Sequence, residues 1–224
     1  MDINNKYYNL LMGALNEYMD NIDKEVFNFI YEDRYENYDG NDFCGIISDY
    51  GDYSNTKINP FFSVNYGCSK CCLIPNDASI PYVLKFGTFD PNSDETFCEL
   101  EADNYIRAKN EGLDFLFAKT EYFTTCYPIG EERPIDVFIS ERIEDTLYKL
   151  TKDLIFNEEL ENIYDSHSLR DNSPTVWSLF DHYYDEDTVL KLIDFANRYY
   201  INDIYTYNIG VKNNLPVIFD YSGC

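Results

Sequence analysis

Positive charge is what this chain has least of for its size: 17 Lys and Arg face 41 Asp and Glu, a formal net charge of -24 over 224 residues. A surface so short of cations repels polyanions, which excludes a protein that tracks the phosphates of DNA or RNA. Long apolar runs are missing as well. No stretch approaches the roughly 18 apolar residues of a membrane helix, and no charged-then-apolar leader opens the chain. The expectation is a cytoplasmic protein with no membrane contact.

Metal-site and hydrolase signatures are also lacking. The seven cysteines (Cys44, Cys68, Cys71, Cys72, Cys98, Cys126, Cys224) form an odd set without a disulfide-scaffold spacing, as reduced thiols do. Cys68-Ser-Lys-Cys71 has zinc-ligand spacing but no second pair completes a tetrahedral site, so these read as strand cysteines. Asp39-Gly-Asn-Asp42 and Tyr50-Gly-Asp-Tyr53 lack the EF-hand ligand order and read as turns in an acidic loop. His167 and His182 have no triad context, and neither Gly-x-Ser-x-Gly nor His-Glu-x-x-His occurs.

What is present is enough apolar material to fold: 45% hydrophobic residues, among them 22 tyrosines. Tyr7, Leu11, Ala14, Leu15, Tyr18 and Ile22 recur at helical spacing within residues 2–31. From Pro60 to Ile143 the pattern shifts to short apolar runs, which predict five strands: Phe61–Tyr66, Cys71–Ile74, Tyr82–Phe86, Phe115–Glu121 and Asp136–Ser140. One helix over Ser93–Asn110 separates the third strand from the fourth. Further helices are predicted over Glu144–Tyr164, Thr175–Tyr184 and Asp187–Tyr200, followed by a hairpin, Ile209–Val211 and Val217–Phe219, around a Lys212-Asn213-Asn214 turn. The segmentation is 1–59, an N-terminal helical and acidic-loop extension; 60–143, strand-rich; and 144–224, helix-rich with the closing hairpin.

Polar residues with chemical potential fall in a definite order. Tyr82-Val-Leu-Lys85-Phe86 puts one lysine in an apolar strand, either to reach an anion or as an exposed edge-strand lysine. Glu101 shares a helix side with Phe97, Tyr105 and Ala108; Glu99 is its rival. Asp203 precedes Asn208 by five residues, and Asp220 follows the apolar run Pro216–Phe219. Singly, Asp203 and Asn208 are also ordinary turn residues.

Taken together, these motifs resemble the protein-kinase-like fold over residues 60–224, and more narrowly the short kinase-like proteins of bacteriophages and some bacteria that end near Asp-Tyr-Ser-Gly. The resemblance implies an α+β, bilobal architecture: a five-stranded N-lobe sheet with one helix, and a truncated helical C-lobe ending just after the metal-binding Asp strand. It also implies roles. Lys85 would steady nucleotide phosphates, Glu101 would orient Lys85, and Asp203 would receive the acceptor proton. Asn208 and Asp220 would hold magnesium. Gly67, Ser69 and Lys70 fall at the phosphate loop, where one glycine of the usual three remains. Glu141 and Ile143 fall in the adenine-binding hinge. ATP and magnesium are the implied cofactors. Lys85 and the C-terminal carboxylates are expected to converge on one cleft.

The pattern departs from the family at Ile201 and Asn202, which replace the His and Arg before the catalytic aspartate, and at Tyr221-Ser222, which replace Phe-Gly. The expected absence of an activation segment and later helices removes the usual platform for a peptide acceptor. An alternative remains open: a non-catalytic, kinase-like acidic scaffold that binds a basic host factor, such as a nuclease or DNA-binding defence protein, by nucleic-acid mimicry in the host cytoplasm.

Overall fold

The computed structural model describes residues 5–21, 61–66, 70–87, 97–126, 135–143 and 174–222. It is an α+β protein in which the described residues form four helices, a five-stranded antiparallel sheet and a two-stranded hairpin. The chain divides into two compact units, Met1–Glu99 with Thr120–Arg142, and Leu100–Lys119 with Ile143–Cys224. Leu100–Lys119 thus groups with the second unit and not with the strands that flank it in sequence.

The first unit is built on β1 (Phe62–Tyr66), β2 (Lys70–Pro75), β3 (Tyr82–Gly87), β4 (Thr120–Cys126) and β5 (Ile135–Glu141), in the order β1-β2-β3-β5-β4. Alternation along each strand sorts the side chains onto two faces. Phe62, Cys71, Leu73, Leu84, Phe86, Val137 and Ile139 form an apolar cluster with Leu11, Ala14, Leu15 and Tyr18 of helix α1 (Asn5–Asn21). Helix α1 lies along β3, with Tyr7 against Tyr82 and Tyr18 against Phe86, both at 5.5 Å between ring centroids. This is the predicted amphipathic helix; residues 22–31 lie outside the described residues, as do the acidic turns of 32–55.

The fourth strand is not where the sequence pattern put it. Phe115–Glu121 reads as a strand because it is apolar, but Asp114–Leu116 is a 3-10 turn and Phe117 makes only an isolated parallel bridge to Ile218. Leu116, Phe117 and Ala118 are instead buried in the core of the second unit. The strand begins at Thr120, in the Thr- and aromatic-rich stretch that follows.

The second unit packs helices α2 (Phe97–Asn110, in its Leu100–Asn110 part), α3 (Pro174–Tyr183) and α4 (Glu186–Arg198) with the hairpin β6 (Ile209–Lys212) and β7 (Leu215–Ile218). Its core joins Tyr105, Ala108, Leu116, Phe117, Trp177, Phe180, Leu192, Phe195, Ile209 and Ile218. Helix α2 ends in a Schellman motif: Leu113 N–H donates to Ala108 O at 2.8 Å and Gly112 has φ +74°, a conformation glycine adopts without a Cβ penalty. Asp185 caps α4, accepting from Thr188 N and Oγ1, each at 2.9 Å. The hairpin turn is tighter than predicted, two residues and not three. Asn213 and Asn214 both have positive φ, 53° and 64°, as a primed turn demands of asparagine. The helix expected over Glu144–Tyr164 lies outside the described residues. Among the described residues no helix is long and apolar enough to cross a membrane.

Candidate functional site

Three of the polar residues singled out in the sequence are brought together in the second unit. After α4, Ile201 and Ile204 are fully buried and anchor the chain at two points. Asp203 lies between them, partly exposed, with Oδ1 enclosed by protein. Its backbone carbonyl accepts from Tyr205 N at 2.9 Å and from Asn208 Nδ2 at 2.6 Å. Asn208 N–H in turn donates to Tyr205 O, and Asn208 O accepts from Phe219 N, each at 2.9 Å. Phe219 immediately precedes Asp220. The five-residue spacing of Asp203 and Asn208 is thus the span of one closed loop, stitched to the strand that delivers Asp220.

Ile201, at the position where the kinase pattern carries His, is core. The residue after Asp220 is fixed from two sides. Tyr221 Oη donates to Ala118 O at 2.8 Å and its ring meets Phe117 edge-on at 5.0 Å. Its carbonyl accepts from Asn104 Nδ2 at 2.9 Å, and Arg107 Nη1 donates to Asn104 Oδ1 at 2.9 Å, which sets the amide's orientation. Asn104 is a residue that sequence reasoning missed. It lies one turn beyond Glu101 on the buried side of α2 and ties that helix to the Asp220 segment. Glu101 is fully buried, whereas Glu99 is partly exposed, so the two rivals have different environments.

The remaining candidates belong to the first unit or to its boundary. Lys85, 6% exposed, stands on β3 between Cys72 of β2 and Phe138 of β5, and its Nζ lies over the Phe138 ring at 5.6 Å. Lys70, also 6% exposed, begins β2. Gly67 and Ser69 lie outside the described residues. In the hinge stretch, Glu141 pairs with Tyr82 and Arg142 N–H donates to Pro81 O at 2.8 Å. The Arg142 guanidinium is drawn to Pro75 O at 2.7 Å. Ile143 is partly buried against the core of the second unit.

Among the described residues no three His, Cys, Asp or Glu side chains cluster as metal ligands. Asn208 uses its amide nitrogen within the loop, which leaves an amide oxygen as its possible ligand atom, and Asp220, one residue past the stitched Phe219, has a carboxylate. Two hard oxygens suit magnesium, which keeps water and takes phosphate oxygens for the rest of its shell.

No family model and no curated protein matches the chain. Among solved structures, one described as the bifunctional kinase-methyltransferase WbdD aligns at a TM-score of 0.24 and 14% identity, over 70% of this chain and 30% of that one. This chain therefore spans less than a third of that protein's length, and at such a score the alignment does not define a shared fold.

Proposed function

We propose that the chain is a minimal kinase-like phosphotransferase that binds Mg-ATP. The observation that supports this reading is the closed Asp203–Asn208 loop with its hydrogen bond to Phe219, because it holds Asp203, Asn208 and the residue before Asp220 in one stitched segment. In the reaction proposed, an acceptor hydroxyl oxygen bonds to the γ-phosphorus, the bond to the β–γ bridging oxygen breaks, and ADP leaves. The hydroxyl proton passes to the Asp203 carboxylate. Lys85 holds phosphate oxygens as a point charge on a rigid strand. Magnesium, when bound at Asn208 and Asp220, supplies charge neutralisation on the phosphates.

A calorimetric titration with Mg-ATP tests this. The wild type is expected to bind with magnesium and not without it, and Lys85→Ala and Asp220→Ala are each expected to abolish the response. No binding heat and no thermal stabilisation in the wild type would overturn the reading.

A second reading is favoured by one observation, the net charge of -24. An acidic, kinase-like scaffold that occupies the nucleic-acid surface of a basic host protein needs no nucleotide. Its signature is salt-sensitive capture of a basic nuclease or DNA-binding protein that Asp203→Ala leaves intact.

A further inference from the structure

Lys70, Lys85 and Asp136 are all buried on one face of the first unit's sheet, at 6%, 6% and 5% exposure, in a chain where basic residues are scarce. The strand register fixes their order. Lys70 stands opposite Gly87 and Gly87 opposite Asp136, so one row crosses three strands with a lysine at one end, a carboxylate at the other and glycine between. Two interstrand spacings put the row ends about 10 Å apart, a gap that a lysine's four-carbon stem can largely close over a glycine. Lys85 starts from the adjacent row, and its ammonium lies over Phe138, two residues along β5 from Asp136 on the same face. Both lysines therefore share a face with one acid, and helix α1 occupies the opposite face.

We infer that Asp136 is the resident counter-ion of a two-lysine anion site on this face. It is a positioning residue that holds Lys70 alongside Lys85 and lowers the grip of the pair on a polyphosphate. Two ammonium groups one row apart, roughly 7 Å along the strands, suit a ligand with consecutive phosphates better than a single phosphate. Burying both lysines is costly without negative charge nearby. Asp136 meets part of that cost before any ligand arrives, and a polyphosphate competes with it for Lys70. That the natural anion is a nucleotide rests on the function proposed above; the site itself does not.

The test is titration of the full chain with inorganic triphosphate, without metal, at two salt concentrations. Asp136→Asn is expected to bind roughly tenfold tighter with a steeper salt dependence, and Lys70→Met roughly tenfold weaker. On the Lys70→Met background, Asp136→Asn is expected to change affinity less than about threefold, because its effect runs through Lys70. Unchanged or weaker binding by a folded Asp136→Asn protein overturns the counter-ion role. Should that variant fail to fold, unchanged affinity in Lys70→Met overturns the two-lysine site and the expected loss supports it. Triphosphate bound as tightly as Mg-ATP, with the variant effects intact, overturns the phosphotransferase reading and leaves this site standing.

Discussion

Asn208 closes a ring on Asp203: its side-chain amide donates to the Asp203 carbonyl at 2.6 Å, five residues back in the chain. The amide nitrogen therefore holds the loop closed. One residue thus joins loop geometry to candidate metal chemistry, and the two roles can be separated by substitution.

Asn208→Ala removes both nitrogen and oxygen. It is expected to lower stability by about 1 kcal/mol, the net worth of a partly buried hydrogen bond, and to abolish the magnesium-dependent response to ATP. Asn208→Asp restores an oxygen donor but cannot donate to the Asp203 carbonyl. It is expected to lose at least as much stability while retaining a magnesium response. Urea unfolding and thermal shifts with and without Mg-ATP read the two effects. A magnesium response lost equally in both variants would confine Asn208 to holding the loop.

The elements that local pattern decides were legible: the amphipathic α1, the helices α3 and α4 to within a residue or two, and the closing hairpin, whose two asparagines satisfy the positive φ of a tight turn. Order along the chain also singled out Asp203 and Asn208, which one hydrogen bond joins. The misplaced fourth strand marks where pattern stops. Leu116-Phe117-Ala118 is apolar because it fills the second unit's core, and a short apolar run carries no label for which core it fills. Asn104 was illegible for a related reason. On an acidic helix it looks solvated, and only a hydrogen bond to Tyr221, 117 residues away, reveals its burial. Asp136 needed strand register, since alternation alone does not say which residue of β2 shares its row.

The position of α1 predicts a separation of stability from ligand binding. Leu15 is almost fully buried in the cluster on one sheet face, while Lys70 and Lys85 belong to the other. Leu15→Ala is expected to cost about 2–5 kcal/mol through lost burial and the cavity left behind. Under conditions where the variant is still folded, its affinity for triphosphate is expected to match the wild type. A tenfold weaker affinity in a fully folded Leu15→Ala protein would show that α1 shapes the lysine face through the sheet.

Glu111 should contribute to the acid sensitivity of the second unit. Hydrogen bonds from the Arg198 guanidinium, at 2.9 and 2.5 Å, hold the Glu111 carboxyl below its ordinary value of 4.5, with smaller help from the guanidinium's charge and from Tyr199 Oη. A carboxyl with a depressed folded pKa keeps fewer protons folded than unfolded, so its contribution is complete above 4.5 and disappears as pH falls through the lower, folded value. The pair joins the C-terminal end of α2 to that of α4, and Asp194 also accepts from Arg198 at 2.9 Å. Because these groups are partly solvated, the contribution should not exceed about 1 kcal/mol and should shrink with salt. Urea midpoints of wild type and Glu111→Gln, taken at about pH 6 and about pH 3.5, are expected to differ at the higher pH and the gap to narrow at the lower. A gap that persists undiminished into acid would mean that Glu111 acts through packing and not through its charge.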